Sequence, residues 1–171
     1  PVMRHHYTDG EIRKALSELT VIVDSREQVN FHLTSWLDSK GIQHITRALE
    51  TGDYSAMLDN ETFEDEVVIE RKANIDEIAG NFTQGRDRFE REMIRAKANG
   101  TKVFLIIENA SWHDILLHNY HSQLKPQSLM ASLLSWQVRY NITIMFCRPE
   151  ETAQLMYSTL YYWAWNRLKR G

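Results

Sequence analysis

Cysteine is almost absent from this chain: of 171 residues only Cys147 is one. No internal disulfide can form, and a reducing compartment fits. No apolar run approaches the roughly 20 residues that a helix needs to cross a bilayer, and Pro1 to Tyr7 lack the apolar core of a secretory signal. A cytoplasmic chain with no membrane span is the expectation. The histidines and Cys147 show neither HxxxH nor CxxC spacing, which leaves no zinc set. There is no GxxxxGKS/T phosphate loop and no GxSxG nucleophile turn. Positive charge is not in excess either. Twenty Lys and Arg face 23 Asp and Glu, for a net charge of −3 and a pI near 6.2. A non-specific nucleic-acid coat would be basic overall.

What is present describes an ordinary globular chain. Hydrophobic residues make up 43% and charged residues 25%, enough for one domain around one core. Thr8 or Asp9 can cap a helix over residues 8–19, with Ile12, Leu16 and Leu19 at helical spacing. Thr20 to Val23 reads as a short buried strand ending in the polar Asp24-Ser25-Arg26-Glu27. Residues 29–39 are predicted helical, burying Phe31, Leu33, Trp36 and Leu37, with Gly41 as the stop. Strands follow over 42–49, 53–58 and 67–71. Asn74 caps a short helix, with Glu77 three residues on. Helices over 86–99, from Ser111, over 128–140 and from Pro149 to about 169 then alternate with strands over 102–108 and 142–147. The order predicts an α/β fold with a mixed central sheet flanked by helices on both faces.

The chemistry concentrates in Val67-Val68-Ile69-Glu70-Arg71-Lys72-Ala73-Asn74-Ile75-Asp76. A β-branched buried strand becomes charged at its end and runs into a helix. Alternation puts Glu70 and Lys72 on one face and Arg71 on the other. The Cα atoms of Glu70 and Lys72 fall about 7 Å apart, from a rise of roughly 3.3 Å per residue. A carboxylate and an ammonium so placed suit a divalent cation and a phosphate or water beside it. A hairpin centred near Glu61 brings Asp53 roughly opposite Glu70. Carboxylate oxygens favour magnesium or manganese over zinc.

Gly52-Asp53 followed by Glu70-Arg71-Lys72, three residues and Asp76 resembles the GD…ERKxxxD signature of the XPF nuclease family. The broader restriction-nuclease pattern, an acid followed by (D/E)xK, lies within it. Asp24-Ser25-Arg26-Glu27 is similar to the family's DxRE strand end. Gly85-Arg86 with Phe89, Glu92 and Arg95 is similar to the helix after its catalytic strand. The likeness runs over about residues 20–147. It implies a restriction-endonuclease-like nuclease fold over a single domain, 1–171. It also implies a metal-dependent DNA endonuclease that uses Mg2+ or Mn2+ on branched or flapped DNA, with no small-molecule cofactor. Asp53 and Glu70 would be the principal metal ligands and Asp24 an additional acid near the metal. Lys72 would contact water or phosphate, and Asp76 would face the same pocket from the next helix. Arg71, leaving the strand on the other side, would anchor Asp76 or Glu27.

Two rivals use the same residues: a non-catalytic nuclease-fold subunit that binds DNA or acts as a scaffold, and a Holliday-junction-resolvase-like nuclease. The DSRE segment and Asp76 favour the XPF reading. Within the family a tandem helix-hairpin-helix region usually follows the nuclease domain. Here one helix follows the last strand, so a small nuclease-only protein of bacterial or phage type is the expectation. Arg86, Arg88 and Arg95 alternate with acids. They read either as an ion-paired exposed face or as contacts to the DNA backbone. His113, His118 and His121 surround a loop. Tyr157, Tyr161, Tyr162, Trp163 and Trp165 form an aromatic stripe that serves the core or a subunit interface. A homodimer is therefore a further expectation.

Overall fold

The computed structural model describes residues 5–171. The part of the signal-peptide reading that rests on residues 1–4 lies outside them. The chain forms α1 (Asp9–Leu16), β1 (Thr20–Asp24), α2 (Phe31–Ser39), β2 (His44–Arg47), β3 (Tyr54–Leu58), β4 (Glu61–Thr62) and β5 (Val67–Lys72). It continues as α3 (Ile75–Asn81), α4 (Arg86–Ala98), β6 (Lys102–Glu108), α5 (Trp112–Leu116), α6 (Pro126–Tyr140), β7 (Ile142–Cys147) and α7 (Pro149–Arg170). Local chemistry explains most boundaries. Thr8 closes a capping box with Glu11, Asn74 accepts from the Glu77 amide, Ser111 accepts from the Asp114 amide, and Pro149 opens α7.

The strands build one mixed sheet in the order β2-β1-β3-β5-β6-β7, with β4 beside β3. β5, β6 and β7 run parallel, whereas β3 is antiparallel to both β1 and β5. The α/β expectation, helices on both faces of a mixed sheet, matches. Val67 and Ile69 look into a core shared with α1, α2 and α7. Val68 looks into a second core beneath α3, α4 and α6. The end of β5 continues these two rows, so Glu70 and Lys72 follow Val68 and Arg71 follows Ile69. Sheet alternation therefore decides which helical layer each charged residue meets.

Three expectations change. Phe31 is 80% exposed, because it opens α2 off the buried stripe of Leu33 and Leu37. The strand expected over 42–49 is ordered only as His44–Arg47, an edge strand paired on one side with β1. The helix expected over 128–140 starts earlier, since Pro126 already opens α6. In the aromatic stripe, Tyr157, Tyr161, Trp163 and Trp165 pack against the core, and Tyr162 stays 60% exposed. No helix among the described residues is long and apolar enough to cross a membrane.

Candidate functional site

Asp53 reaches the sheet through a turn that only glycine permits. Gly52 has φ +79°, and a Cβ there would lie 2.7 Å from the Val68 Cβ. The chain is thus pressed against β5 in a left-handed conformation, for both of which Gly is suited. Asp53 then bridges two strands. Its amide donates to the Ile69 carbonyl at 2.8 Å, and its own carbonyl accepts from the Asp24 amide at 2.8 Å. Tyr54 pairs with Ile69, so Asp53 stands across from Glu70, the placement that hairpin counting predicts. Asp53 Oδ2 accepts from the Arg71 amide at 2.7 Å. The backbone of β5 thereby orients the carboxylate.

Glu70 is buried, and its Oε1 lies 3.1 Å from Lys72 Nζ. The Lys72 ammonium also sits 5.0 Å from the centre of the Phe89 ring, a favourable cation–π placement. Two adjoining clefts, of about 340 and 360 Å³, share Arg26, Asp53, Glu70 and Lys72. Burial, followed by the charges of Glu70 and Glu27, holds the Asp53 carboxyl well above its ordinary range. Burial also raises Glu70, with Lys72 opposing and Glu92 and Glu27 adding to the rise. Burial would lower Lys72, but Glu70 and Asp53 outweigh it and the ammonium holds its proton more firmly than usual. The group is therefore an acid pair that resists ionisation beside a cation that resists neutralisation.

This donor set fits a hard divalent cation. Asp53 Oδ1 and Glu70 Oε2 make no hydrogen bond among the described residues and belong to side chains lining the same clefts. A cation between them would relieve the repulsion that raises both acids. The fit is to an ion that keeps several waters, because no three acid, His or Cys side chains among the described residues form a closed cage.

Asp24 differs from Asp53 and Glu70 in having protein partners on both oxygens. It lines the cleft, but Oδ1 accepts from the Leu49 amide at 2.8 Å and Oδ2 from Arg26 Nε at 2.8 Å. Burial works against these bonds, yet they still lower its pKa. Asp24 therefore organises the loop edge from the cleft wall, with both of its oxygens already accepting hydrogen bonds. Asp76 departs from its expected place. Its Oδ1 accepts from the amides of His121 and Ser122 at 2.8 and 2.6 Å, which ties it to the α5–α6 loop, and it lines neither cleft. The same loop holds His118, whose Nε2 donates to the Ser122 carbonyl. His113, His118 and His121 line neither cleft.

Arg71 is buried on the opposite side of β5. Its guanidinium donates to Glu27 at 2.8 and 3.2 Å, to Glu108 at 2.8 Å, and to the carbonyls of Gln28 and Val29. Of its two expected partners, Glu27 is there and Asp76 is not. Glu108, which also meets His32 at 3.1 Å, had no signal beyond its place at the end of a buried strand. Among the arginines of α4, Arg88 reaches the cleft rim and Arg95 is exposed. Arg86 meets the Trp136 ring and Glu90 while its side chain stays 40% exposed. Glu92 and Asn81 also line the cleft, and the Asn81 Oδ1 is buried without a partner. Neither was singled out for the cleft, because helix position alone does not say which α3 and α4 side chains overhang a strand end.

Comparison with known proteins agrees with this fold. The family profile described as ERCC4 domain matches residues 23–159. XPF from Aeropyrum pernix is similar in structure, with 28% identity and a TM-score of 0.63 over 84% of this chain. XPF from Aeropyrum pernix in complex with DNA gives 26% identity and a TM-score of 0.64 over 86%. This chain spans about 60% of the first and 66% of the second. Comparison with curated proteins found no relative. By sequence and by fold, the chain belongs to the ERCC4 domain family and is an XPF-type nuclease domain.

Proposed function

We propose that this chain is a divalent-metal-dependent endonuclease that hydrolyses phosphodiester bonds in branched or flapped DNA. One juxtaposition carries the reading: Asp53 stands across the β3–β5 pair from Glu70, with Lys72 Nζ 3.1 Å from Glu70, in a shared open cleft. The structure of Aeropyrum pernix XPF with DNA supports DNA as the ligand class.

Asp53 and Glu70 would hold a magnesium or manganese ion, which would supply Lewis-acid chemistry at the phosphate. Lys72 offers a fixed positive charge to a phosphate oxygen or a hydrogen bond to the attacking water. The Phe89 ring and Glu70 hold its ammonium in place. The Arg71 amide fixes the rotamer of Asp53, so reaction requires little reorganisation of that carboxylate. Arg88 at the rim and exposed Arg95 one face along α4 suit neighbouring phosphates. Residues 1–171 are read as one such domain.

The test uses end-labelled linear, flapped, forked and four-way DNA, each with Mg2+, Mn2+ or EDTA. Metal-dependent cutting that favours the branched substrates is expected. No cutting on any substrate would overturn the enzymatic reading, and binding without cutting would identify the DNA-binding scaffold role instead.

A further inference from the structure

Beside the carboxylate cleft lies a feature that hydrolysis does not use. Val29 and Phe31 are 89% and 80% exposed. Val29 lines the cleft that also contains Asp53, Glu70 and Lys72. Its backbone is unusual, with φ +53°, a left-handed conformation that β-branched side chains strongly avoid. Such strain persists only where the surroundings enforce it. Here the enforcing group is Arg71. Its Nη2 donates to the Gln28 carbonyl at 2.9 Å and the Val29 carbonyl at 3.3 Å, while its Nε and Nη2 hold Glu27. One buried guanidinium, between Glu70 and Lys72 in sequence, thus holds the loop that puts Val29 into water, two residues before exposed Phe31 opens α2.

We propose that Val29 and Phe31 form an apolar wedge that packs against unpaired nucleobases next to the bond being cut, with Arg71 as the residue that positions it. The occupant follows from continuity with the cleft. A phosphate at Lys72 brings its own nucleotides past Val29, and the sugar-phosphate edge of an intact duplex offers little apolar surface there. Unpaired or splayed bases do offer it, because every base has a face that can stack on an aromatic ring. This wedge rests on the nuclease reading and adds a cause to it: the preference for branched DNA arises where the chain meets bases that have left the helix.

The test uses the full chain with two kinds of DNA, a duplex and a single-strand flap carrying 2-aminopurine at the branch. Binding is measured in EDTA and cutting in Mg2+. The Val29→Ser, Phe31→Ser double variant alters exposed side chains only, so it should fold as the parent does. Its affinity for the flap should fall about tenfold or more, with the 2-aminopurine signal lost, while duplex binding stays unchanged. Val29→Asn suits the left-handed backbone, so it should melt at or above the parent temperature and still bind the flap more weakly. A double variant that binds and cuts the flap like the parent, with the same fluorescence, would overturn the wedge alone. A parent that binds the flap but never cuts it would overturn the nuclease reading while leaving the wedge scored by binding. A parent that binds no DNA would overturn both.

Discussion

The two sides of β5 carry the same kind of residue and treat it in opposite ways. On the side of α3 and α4, Glu70 and Lys72 meet across 3.1 Å with Asp53 opposite, and both acids are held above their ordinary range. On the side of α2 and α7, Arg71 is buried between Glu27 and Glu108 with its donors satisfied. The first side has carboxylate oxygens with no partner among the described residues and an open cleft. On the second, the charge is matched by its own counter-ions. A run of charged residues at a strand end is therefore two devices: an electrostatically unbalanced cluster that a cation can complete, and a balanced one that holds the loop beside it.

The largest expected effect comes from the unbalanced side. Asp53→Asn and Glu70→Gln should each lower the cutting rate by about 10³-fold or more, since Lewis-acid stabilisation is worth several kcal/mol. Rates on flapped DNA in Mn2+ would check this, and equal cutting by both variants would remove these residues from the site. The balanced side should show its importance as stability. Arg71→Ala leaves Glu27 and Glu108 buried without their cation, a loss of about 3–5 kcal/mol, readable as a lower urea midpoint.

How much of this could be read from the sequence depended on distance along the chain. The caps at Thr8, Asn74 and Ser111 and the proline start of α7 involve neighbours within four residues, and they were legible. Asp53 opposite Glu70 needed only hairpin counting, because β3 and β5 are joined by a short connection. Glu108 was not legible as a partner of Arg71, since it arrives by parallel pairing of β6 with β5 across two intervening helices. The same holds for Asp76, whose acceptor role is decided by amides 45 and 46 residues away. The partners of Asp24 were hidden for a different reason. The Arg that saturates it is two residues on, but alternation along a strand does not show which way a turn folds a side chain back. Phe31 was assigned inward on hydrophobicity alone, although Leu33 and Leu37 already completed the buried stripe.

A smaller effect separates position from chemistry at Asp76. Asp76→Ala should cost about 1–2 kcal/mol through the two lost amide bonds, seen as faster hydrogen exchange at His121 and Ser122. Asp76→Asn keeps an acceptor oxygen and should cut DNA nearly as the parent does. If Asn abolishes cutting while the loop stays protected, the carboxylate acts in the chemistry after all.

The smallest effect is in pH. Asp53 and Glu70 have raised values in the folded chain, so the stability they contribute is fully present below their ordinary carboxylate pKa. It is lost as pH rises through the raised values. Asp24 is lowered, so its contribution is present above its ordinary pKa and lost as pH falls through the lowered value. The melting advantage of Asp53→Asn over the parent should therefore widen between about pH 5 and pH 8 in EDTA. Manganese affinity of the parent should rise over the same interval.

The most direct measurement is the melting temperature of the parent and Asp53→Asn at pH 8, each in EDTA and in Mn2+. Asp53→Asn is expected to melt about 3 °C or more above the parent in EDTA, because a repelled, half-buried charge has been removed. Mn2+ is expected to raise the parent and leave the variant where it was. A variant that melts at or below the parent in EDTA, and is raised by Mn2+ as much as the parent, would contradict a metal site completed by Asp53.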